Sequence, residues 1–406
     1  MQSIKYLILG AGPAGLAFAN RILEKGETSF LVIEKEAMPG GLCRSEEVDG
    51  APLDIGGGHF LDVRDQRVNE FLFQFMPEDE WNHFERDSKI FVHDQYIGHP
   101  FEANIWQFDI DRQVEYLKSI AEAGCVHDQD MPTVFTDWIT WKLGEKIAND
   151  YMLPYNRKMF SKDLNALGTY WLEKLPNVSF EETLRSCLEH KAYGKQPGHA
   201  KFYYPKKYGY GELWRRMGEH LGEHLLLNCD VNGLRFENDK TVVSCKDGQE
   251  YMAETVILTI PWDDIGTSDA VPEDIRRDIS NLKHNSVQID YHSEKLDTKA
   301  HWIYYPSEEL DYHRILVRHN FALGSKGYWT ETNSERISDD MHSEYSYLND
   351  YAYPLNTIDK PQIMEHILEW GKTHRIYGLG RWGEHSHFNS DVTVGRAMDL
   401  ADRLLR

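Results

Sequence analysis

Cysteine is scarce in this sequence, with five residues in 406, at positions 43, 125, 187, 229 and 245. Their odd number and wide spacing, with no Cys-x-x-Cys pair, argue against a disulfide framework and against a thiolate zinc site, so a reducing, cytoplasmic setting and no metal are expected. Long apolar runs are missing too. No stretch approaches the ~18 apolar residues that a membrane-spanning helix needs. The one segment that imitates a signal peptide, Tyr6 to Ala19, is broken by three glycines and a proline and reads as folded structure. Positive charge is in deficit, 44 Lys and Arg against 66 Asp and Glu, for a formal net charge of −22. General nucleic-acid binding is therefore not expected, and an anionic ligand must be met by a local basic cluster. Internal repeats and low-complexity tracts are absent as well.

What is present begins at the fourth residue. Ile4 to Leu9 is a short apolar run of buried-strand type that passes into Gly10-Ala11-Gly12-Pro13-Ala14-Gly15 and then into helical spacing from Leu16 to Leu23. In a strand–turn–helix of this kind Gly10 permits the tight turn, Gly12 lets backbone N–H groups approach a pyrophosphate, and Gly15 lets the helix pack on the strand. Ser29 to Ile33 reads as a second parallel strand ending in Glu34 and Lys35. An acid about 20 residues past the last glycine accepts hydrogen bonds from an unphosphorylated ribose. A second glycine pair follows in Gly40-Gly41-Leu42, and Asp54-Ile55-Gly56-Gly57-Gly58-His59-Phe60 offers three adjacent glycines where backbone can lie against a flat ring. This region resembles flavoproteins of the amine-oxidase and glutathione-reductase type, and the resemblance implies FAD as cofactor.

Two later segments return to the same nucleotide-binding unit. Val231 to Gly248 followed by Glu254 to Pro261 reads as a hairpin and a buried strand; Ile376 to Gly383 reads as strand and glycine turn, with a helix from Asp391 to Leu405 whose start, at Asn389 and Ser390, is a candidate anion site. Residues 67–195 are rich in helical periodicity with interleaved Trp and Tyr, and 272–372 carry strand-like runs such as Ser286 to Tyr291 and His301 to Tyr305. The expected fold is α/β: a Rossmann-like FAD-binding domain from 1–66, 196–271 and 373–406, a mostly helical insert from 67–195, and a β-sheet substrate domain from 272–372.

The segments Pro154 to Phe160, Trp171 to Pro176, Phe202 to Gly211 and Gly380 to Asp391 are similar, in order and spacing, to UDP-galactopyranose mutases. The resemblance implies a redox-neutral isomerisation for cell-surface polysaccharide synthesis. In that family the N5 of reduced flavin attacks the anomeric carbon of a UDP-hexopyranose, UDP leaves, and the sugar of the N5 adduct re-closes as a furanose. It also implies NADH or NADPH as reductant and a homo-oligomer as a possible state. Carried over by position, Gly10, Gly12, Pro13, Ala14, Gly15, Glu34, Lys35, Gly41, Leu42, Gly57, Gly58, His59, Gly211, Arg381, Asn389 and Ser390 bind the cofactor. Phe101, Asn156, Phe160, Lys174, Tyr304, Arg314, Tyr353 and His387 face the nucleotide sugar, with His59, Arg314 and Lys174 closest to the chemistry. Four positions depart from the family pattern: Lys174 stands for an arginine, Phe160 for a tryptophan, and His387 and Phe321 for tyrosines. The alternative is an FAD-dependent oxidoreductase of the amine-oxidase or protoporphyrinogen-oxidase type, which shares the cofactor motifs.

Overall fold

The computed structural model describes residues 3–62, 64–160, 163–172, 175, 177–194, 200–338 and 343–406. Strand β1 (Ser3–Leu9) runs parallel to β2 (Phe30–Ile33) on one side and to Glu250–Leu258 on the other. Its last four residues, Tyr6 to Leu9, are buried on both faces, which is why it reads as an unbroken apolar run. Leu225–Leu226 extends the sheet beyond β2, and Ile376–Gly378 pairs in parallel with the end of Glu250–Leu258. The strands Val231–Glu237 and Lys240–Cys245 complete it as an antiparallel hairpin. Helix α1 (Pro13–Glu24) starts with a proline, whose fixed φ and missing N–H suit a first turn, and packs against Ser390–Leu404 and Gly211–Leu221 on one face of the sheet. Glu273–Asn281 and Lys360–Thr373 cover the other face. The result is a three-layer α/β unit of the expected class.

A second seven-stranded sheet stands apart from it, in the order Tyr345–Pro354, His284–His292, Tyr328–Asn333, Arg314–Leu316, Trp302–Tyr304, Ser88–Val92 and Gln95–Gly98. Along Trp302–Tyr304, Arg314–Leu316 and Tyr328–Asn333 the residues Tyr304, Arg314 and Glu331 are neighbours in register, so they share one face. Helices Ile110–Ala121, Phe135–Ile147, Leu153–Phe160 and Phe180–Glu189 form a layer whose aromatic core includes Phe101, Phe108, Tyr116 and Phe135.

The segment boundaries differ from those read off the sequence. The stretch 67–195, expected to be mostly helical, also supplies Trp81–Glu85, Ser88–Val92 and Gln95–Gly98. Ser88–Val92 alternates buried and half-buried residues and docks in parallel beside Trp302–Tyr304, the pairing that a half-buried strand with one apolar side favours. Conversely, Lys360–Thr373, inside the stretch read as β-sheet, is a helix of the nucleotide-binding unit. Lys201–Pro205 pairs with Leu61–Asp62 and Trp81–Glu85 in a small separate sheet.

The two large sheets are tied together through the hairpin of Ser45–Val48 and Ala51–Asp54. Arg318, fully buried, donates to Val48 O at 2.9 Å, Ala51 O at 3.3 Å, Lys326 O at 2.8 Å and Tyr291 Oη at 3.0 Å, and stacks on the Tyr291 ring. Arg318→Met leaves these buried acceptors unsatisfied. It is expected to cost about 3–5 kcal/mol of stability, measurable by chemical denaturation of the flavin-loaded protein.

Candidate functional site

A cavity of about 1320 Å³, open solvent included, runs along the C-terminal ends of β1, β2 and Glu250–Leu258. Its wall includes Gly10, Gly12, Pro13, Ala14, Glu34, Lys35, Gly41, Leu42, His59, Arg381 and Ser390. That is the crevice where doubly wound sheets hold nucleotides. Three glycines of the first turn are required for different reasons. Gly10 has φ +98°, and a Cβ there would sit 2.6 Å from Thr259 Oγ1; a Cβ on Gly15 would fall 2.0 Å from Gly10 O, so that glycine sets the approach of helix and strand. Gly12 has an ordinary φ of −77°, and only Gly41 Cα, at 3.9 Å, lies near a Cβ built on it. Gly12 is thus bare because of what enters the cavity, not because of the protein around it.

Glu34 is buried, and its carboxylate accepts from Ala11 N at 2.7 Å and Glu36 N at 3.0 Å. Burial pushes its pKa up while the two N–H groups pull it down. Both oxygens keep lone pairs for ribose hydroxyls. At the other end of the cavity the Arg381 guanidinium donates to Ala352 O and Phe388 O, each at 3.1 Å, and no ion pair to a carboxylate is formed by it among the described residues. Burial lowers its pKa. A half-buried cation held only by carbonyls suits an anionic group, and together with Glu34 and the bare Gly12 the residues fit FAD along the whole cavity.

The triple glycine also has a cause within the protein, beside its expected use against a flat ring. A Cβ on Gly56 would strike Leu42 O at 1.8 Å, one on Gly57 (φ +92°) Glu331 Oε1 at 2.8 Å, and one on Gly58 Leu316 Cδ2 at 2.1 Å. These glycines are dictated by protein packed against the loop. What the loop presents to the cavity is His59. Its Nδ1 is 3.0 Å from Gly57 O, a carbonyl that can only accept, so the proton sits on Nδ1 and Nε2 carries the lone pair. Burial, reinforced by Arg381, depresses the imidazole to about 3, so it is neutral at working pH.

Behind the loop, Glu331 joins both parts of the site. Its Oε1 accepts Gly58 N–H at 3.0 Å and its Oε2 accepts Arg314 Nε–H at 2.9 Å, with His313 Nε2 at 3.6 Å. Burial alone would raise this carboxyl; Arg314, His313 and the Gly58 N–H bring it down to about 2. Arg314 is cross-strand neighbour to Tyr304, whose Oη accepts from Arg86 Nη2 at 3.1 Å and Trp302 Nε1 at 2.9 Å. Arg86 also meets His99 Nδ1 at 3.2 Å. Arg381 lies over the Tyr353 ring at 5.6 Å, and Tyr353 is 4.6 Å from the His387 ring. A band of guanidinium, phenol and imidazole groups thus adjoins the cavity, which His59 and Arg381 line.

Of the residues read from sequence, Tyr304, Arg314, Tyr353, His387, His59 and Arg381 come together in this band. Gly15, Gly57, Gly58, Gly211 and Asn389 support the cavity from behind its wall; Gly211 donates its N–H to Ser45 Oγ at 2.7 Å. Phe101 is fully buried and stacks on Tyr151 at 5.5 Å, inside the helical core. Asn156 donates to Met152 O one turn back, and Phe160 packs edge-on against Trp171 at 6.4 Å. Phe321 is core, with Phe60, Tyr204 and Trp329 around it. Lys174 lies outside the described residues. Sequence reasoning missed Arg86, His99 and Glu331; none carries a motif, and Glu331 is recognisable only from its register opposite Arg314.

Two outcomes follow from this geometry. Gly12→Ala should fold with unchanged thermal stability and lose FAD on purification, whereas Gly15→Ala should fail to fold, as read by circular dichroism and flavin absorbance. Glu331 has a folded pKa of about 2 against a usual 4.5. Its contribution is therefore fully present above pH 4.5 and lost as pH falls through 2. Glu331→Gln should cost about 3 kcal/mol at neutral pH and flatten the acid limb of a stability–pH curve.

Comparisons with known proteins bear on the family and the fold. A family model for flavin containing amine oxidoreductases matches residues 13–293. A curated protein of Methanothermococcus thermolithotrophicus, described as an uncharacterized protein in the nifH2 3′ region, is 47% identical over 53 residues, which is 13% of this chain and 50% of that protein. The match thus spans half the length of that relative. Among solved structures, reduced UDP-galactopyranose mutase aligns with a TM-score of 0.88 at 21% identity, over 100% of this chain and 94% of that one. A protein of Exiguobacterium sp. 255-15 assigned as a protoporphyrinogen oxidase aligns with a TM-score of 0.74 at 14% identity, over 100% and 99%. At such identities the structures speak to fold alone. With more than half of its length matched by the family model and a dinucleotide crevice to go with it, this chain belongs to the flavin containing amine oxidoreductases and is an FAD flavoprotein.

Proposed function

We infer that this flavoprotein is a nucleotide-sugar mutase, converting a UDP-hexopyranose of the galactopyranose kind into its furanose form. The observation that carries this reading is the band of Arg86, Arg314 and Arg381, with the phenols of Tyr304 and Tyr353, adjoining the flavin cavity of a chain whose net charge is −22. Arg314 is paired with the carboxylate of Glu331 while Arg381 is held by carbonyls, so positive charge is in surplus in this band, which favours an anion there and disfavours the ammonium group of an amine substrate. The likeness to a solved UDP-galactopyranose mutase supports the same choice.

FAD in its reduced form supplies a nucleophilic ring nitrogen when bound. The chain's own part is positional and electrostatic. Arg314, held in one orientation by Glu331, presents its outer N–H edge to a diphosphate, and Tyr304 and Tyr353 add phenolic hydrogen bonds. As the bond from sugar to diphosphate breaks, negative charge grows on the leaving oxygens, and the same donors bind it more strongly. Neutral His59, whose Nε2 carries a lone pair at the cavity wall, would accept a hydrogen bond there and adds no charge. NADH or NADPH as reductant, a cytoplasmic location and a place in cell-surface polysaccharide synthesis belong to this reading.

A second reading, an FAD-dependent oxidoreductase, is favoured by the family match itself. The two separate experimentally. Photoreduced protein incubated with UDP-, dTDP- and GDP-hexoses is expected to yield a furanose product by chromatography without net flavin oxidation. Arg314→Lys keeps the charge but loses the fork and should lower kcat/KM by about 10- to 100-fold at unchanged FAD content. Absence of turnover with every nucleotide sugar, together with peroxide release from an amine or porphyrinogen, establishes the oxidoreductase instead.

A further inference from the structure

Two threonines of the second sheet carry buried hydroxyls that bond to nothing. The strand Tyr328–Asn333 turns Glu331 toward Arg314, so Thr330 and Thr332, on either side of it, turn to the opposite face. Thr330 is 4% exposed and Thr332 0%, and the Oγ1 of each is enclosed with no hydrogen-bond partner. One orphaned hydroxyl in a protein interior is uncommon, and two on one face of one strand call for a cause.

Their neighbours on that face are oxygen-bearing. Asp290 stands directly opposite Thr330 on the next strand, Ser346 directly opposite Asp290 on the strand after that, and Gln288 opposite Thr332. Asp290 is 1% exposed. Its carboxylate accepts from Ser346 Oγ at 2.5 Å, Ser343 Oγ at 3.2 Å and Gln288 Nε2 at 2.9 and 3.1 Å. Every one of these donors is neutral, and among the described residues no Lys, Arg or His pairs with it. Glu331, the buried carboxylate on the other face, has Arg314. Asp290 therefore carries a negative charge in the interior with no counter-charge, an arrangement that costs stability until a cation joins it.

We propose that Asp290, Thr330, Thr332, Ser346 and Gln288 form a site for a monovalent alkali cation, sodium or potassium, on the back of the strand that carries Glu331. Hard cations take oxygen ligands, and side chains directly opposite each other on adjacent strands stand about 5 Å apart, twice a metal–oxygen distance of about 2.4 Å. The serine and threonine hydroxyls rotate, and the Gln288 amide can turn over, so that each presents a lone pair to the ion. A single positive charge balances the one carboxylate, whereas a divalent ion would leave a buried surplus. Ser346 is exposed and Gln288 half-buried, which gives the ion a way in from solvent. Because Thr330 and Thr332 flank Glu331, an ion between them steadies from behind the strand whose Glu331 holds Gly58 N–H and Arg314.

Thermal unfolding of the full-length, FAD-loaded protein in sodium, potassium or tetramethylammonium chloride, each at about 100 mM, tests this. The three salts screen the acidic surface alike, and tetramethylammonium is too bulky for the site. The expected result is a midpoint roughly 2 °C higher in sodium or potassium than in tetramethylammonium, saturating as the alkali salt is raised at constant ionic strength; the ion with the larger shift is the one preferred. Asp290→Asn should abolish the difference at unchanged flavin content. Thr330→Val keeps the shape of the side chain and decides the matter even where Asp290→Asn does not fold. It should weaken the alkali-ion affinity about tenfold, since it removes a ligand. If that hydroxyl serves no ion, the valine instead raises the midpoint equally in all three salts, and the proposal is overturned. Equal midpoints of the wild-type protein in the three chlorides, or a difference that Thr330→Val leaves at full size, overturns it as well.

Discussion

The buried carboxylate of Glu331 is the contact on which the site depends. An unpaired carboxylate in so dry a place would protonate; here Gly58 N–H, Arg314 and His313 surround it and keep it charged. Those partners come from different parts of the chain. Gly58 belongs to the loop that carries His59 into the flavin cavity, and Arg314 and His313 belong to the second sheet. One anion thus fixes the loop beside the cavity and the second sheet to each other. The glycines at 57 and 58 follow from it: a side chain at Gly57 would occupy the space of the Glu331 carboxylate itself, and one at Gly58 that of Leu316.

The distribution of charge makes sense on the same basis. The surface is acidic, yet arginines are gathered inside, at 86, 314, 318 and 381. Arg318 uses its guanidinium as a purely structural knot, saturating the carbonyls of a hairpin. Arg381 uses the same geometry incompletely, holding two carbonyls while facing the cavity. The difference between a fully satisfied guanidinium and one with donors to spare is what separates scaffold from site here.

Much of the nucleotide-binding unit was legible in the sequence because its chemistry is local. Gly10, Gly12, Gly15 and Glu34 lie within one strand–turn–helix–strand, so their spacing is visible along the chain, even though the atom nearest a Cβ on Gly10 belongs to Thr259. The contacts of the second sheet are non-local and less legible. Three adjacent glycines suggest a platform for a ring, while the close approach of Leu42, Leu316 and Glu331, two of them more than 250 positions away, is not visible along the chain. Phe101 looked like a ligand contact by position, yet it is enclosed by Phe108, Tyr116 and Tyr151. The hairpin of Ser88–Val92 and Gln95–Gly98 escaped notice because an isolated short alternation beside helices does not reveal which sheet it will join.

If Arg314 binds a diphosphate as proposed, Glu331 joins that ligand to the loop beside the flavin cavity, and the diphosphate must be felt by the flavin. The most direct measurement is the visible absorbance of the FAD-bound protein titrated with UDP. The expected result is a saturable change in the flavin band that competes with inorganic pyrophosphate. A protein that holds FAD firmly, yet whose spectrum is indifferent to UDP at any concentration, contradicts it.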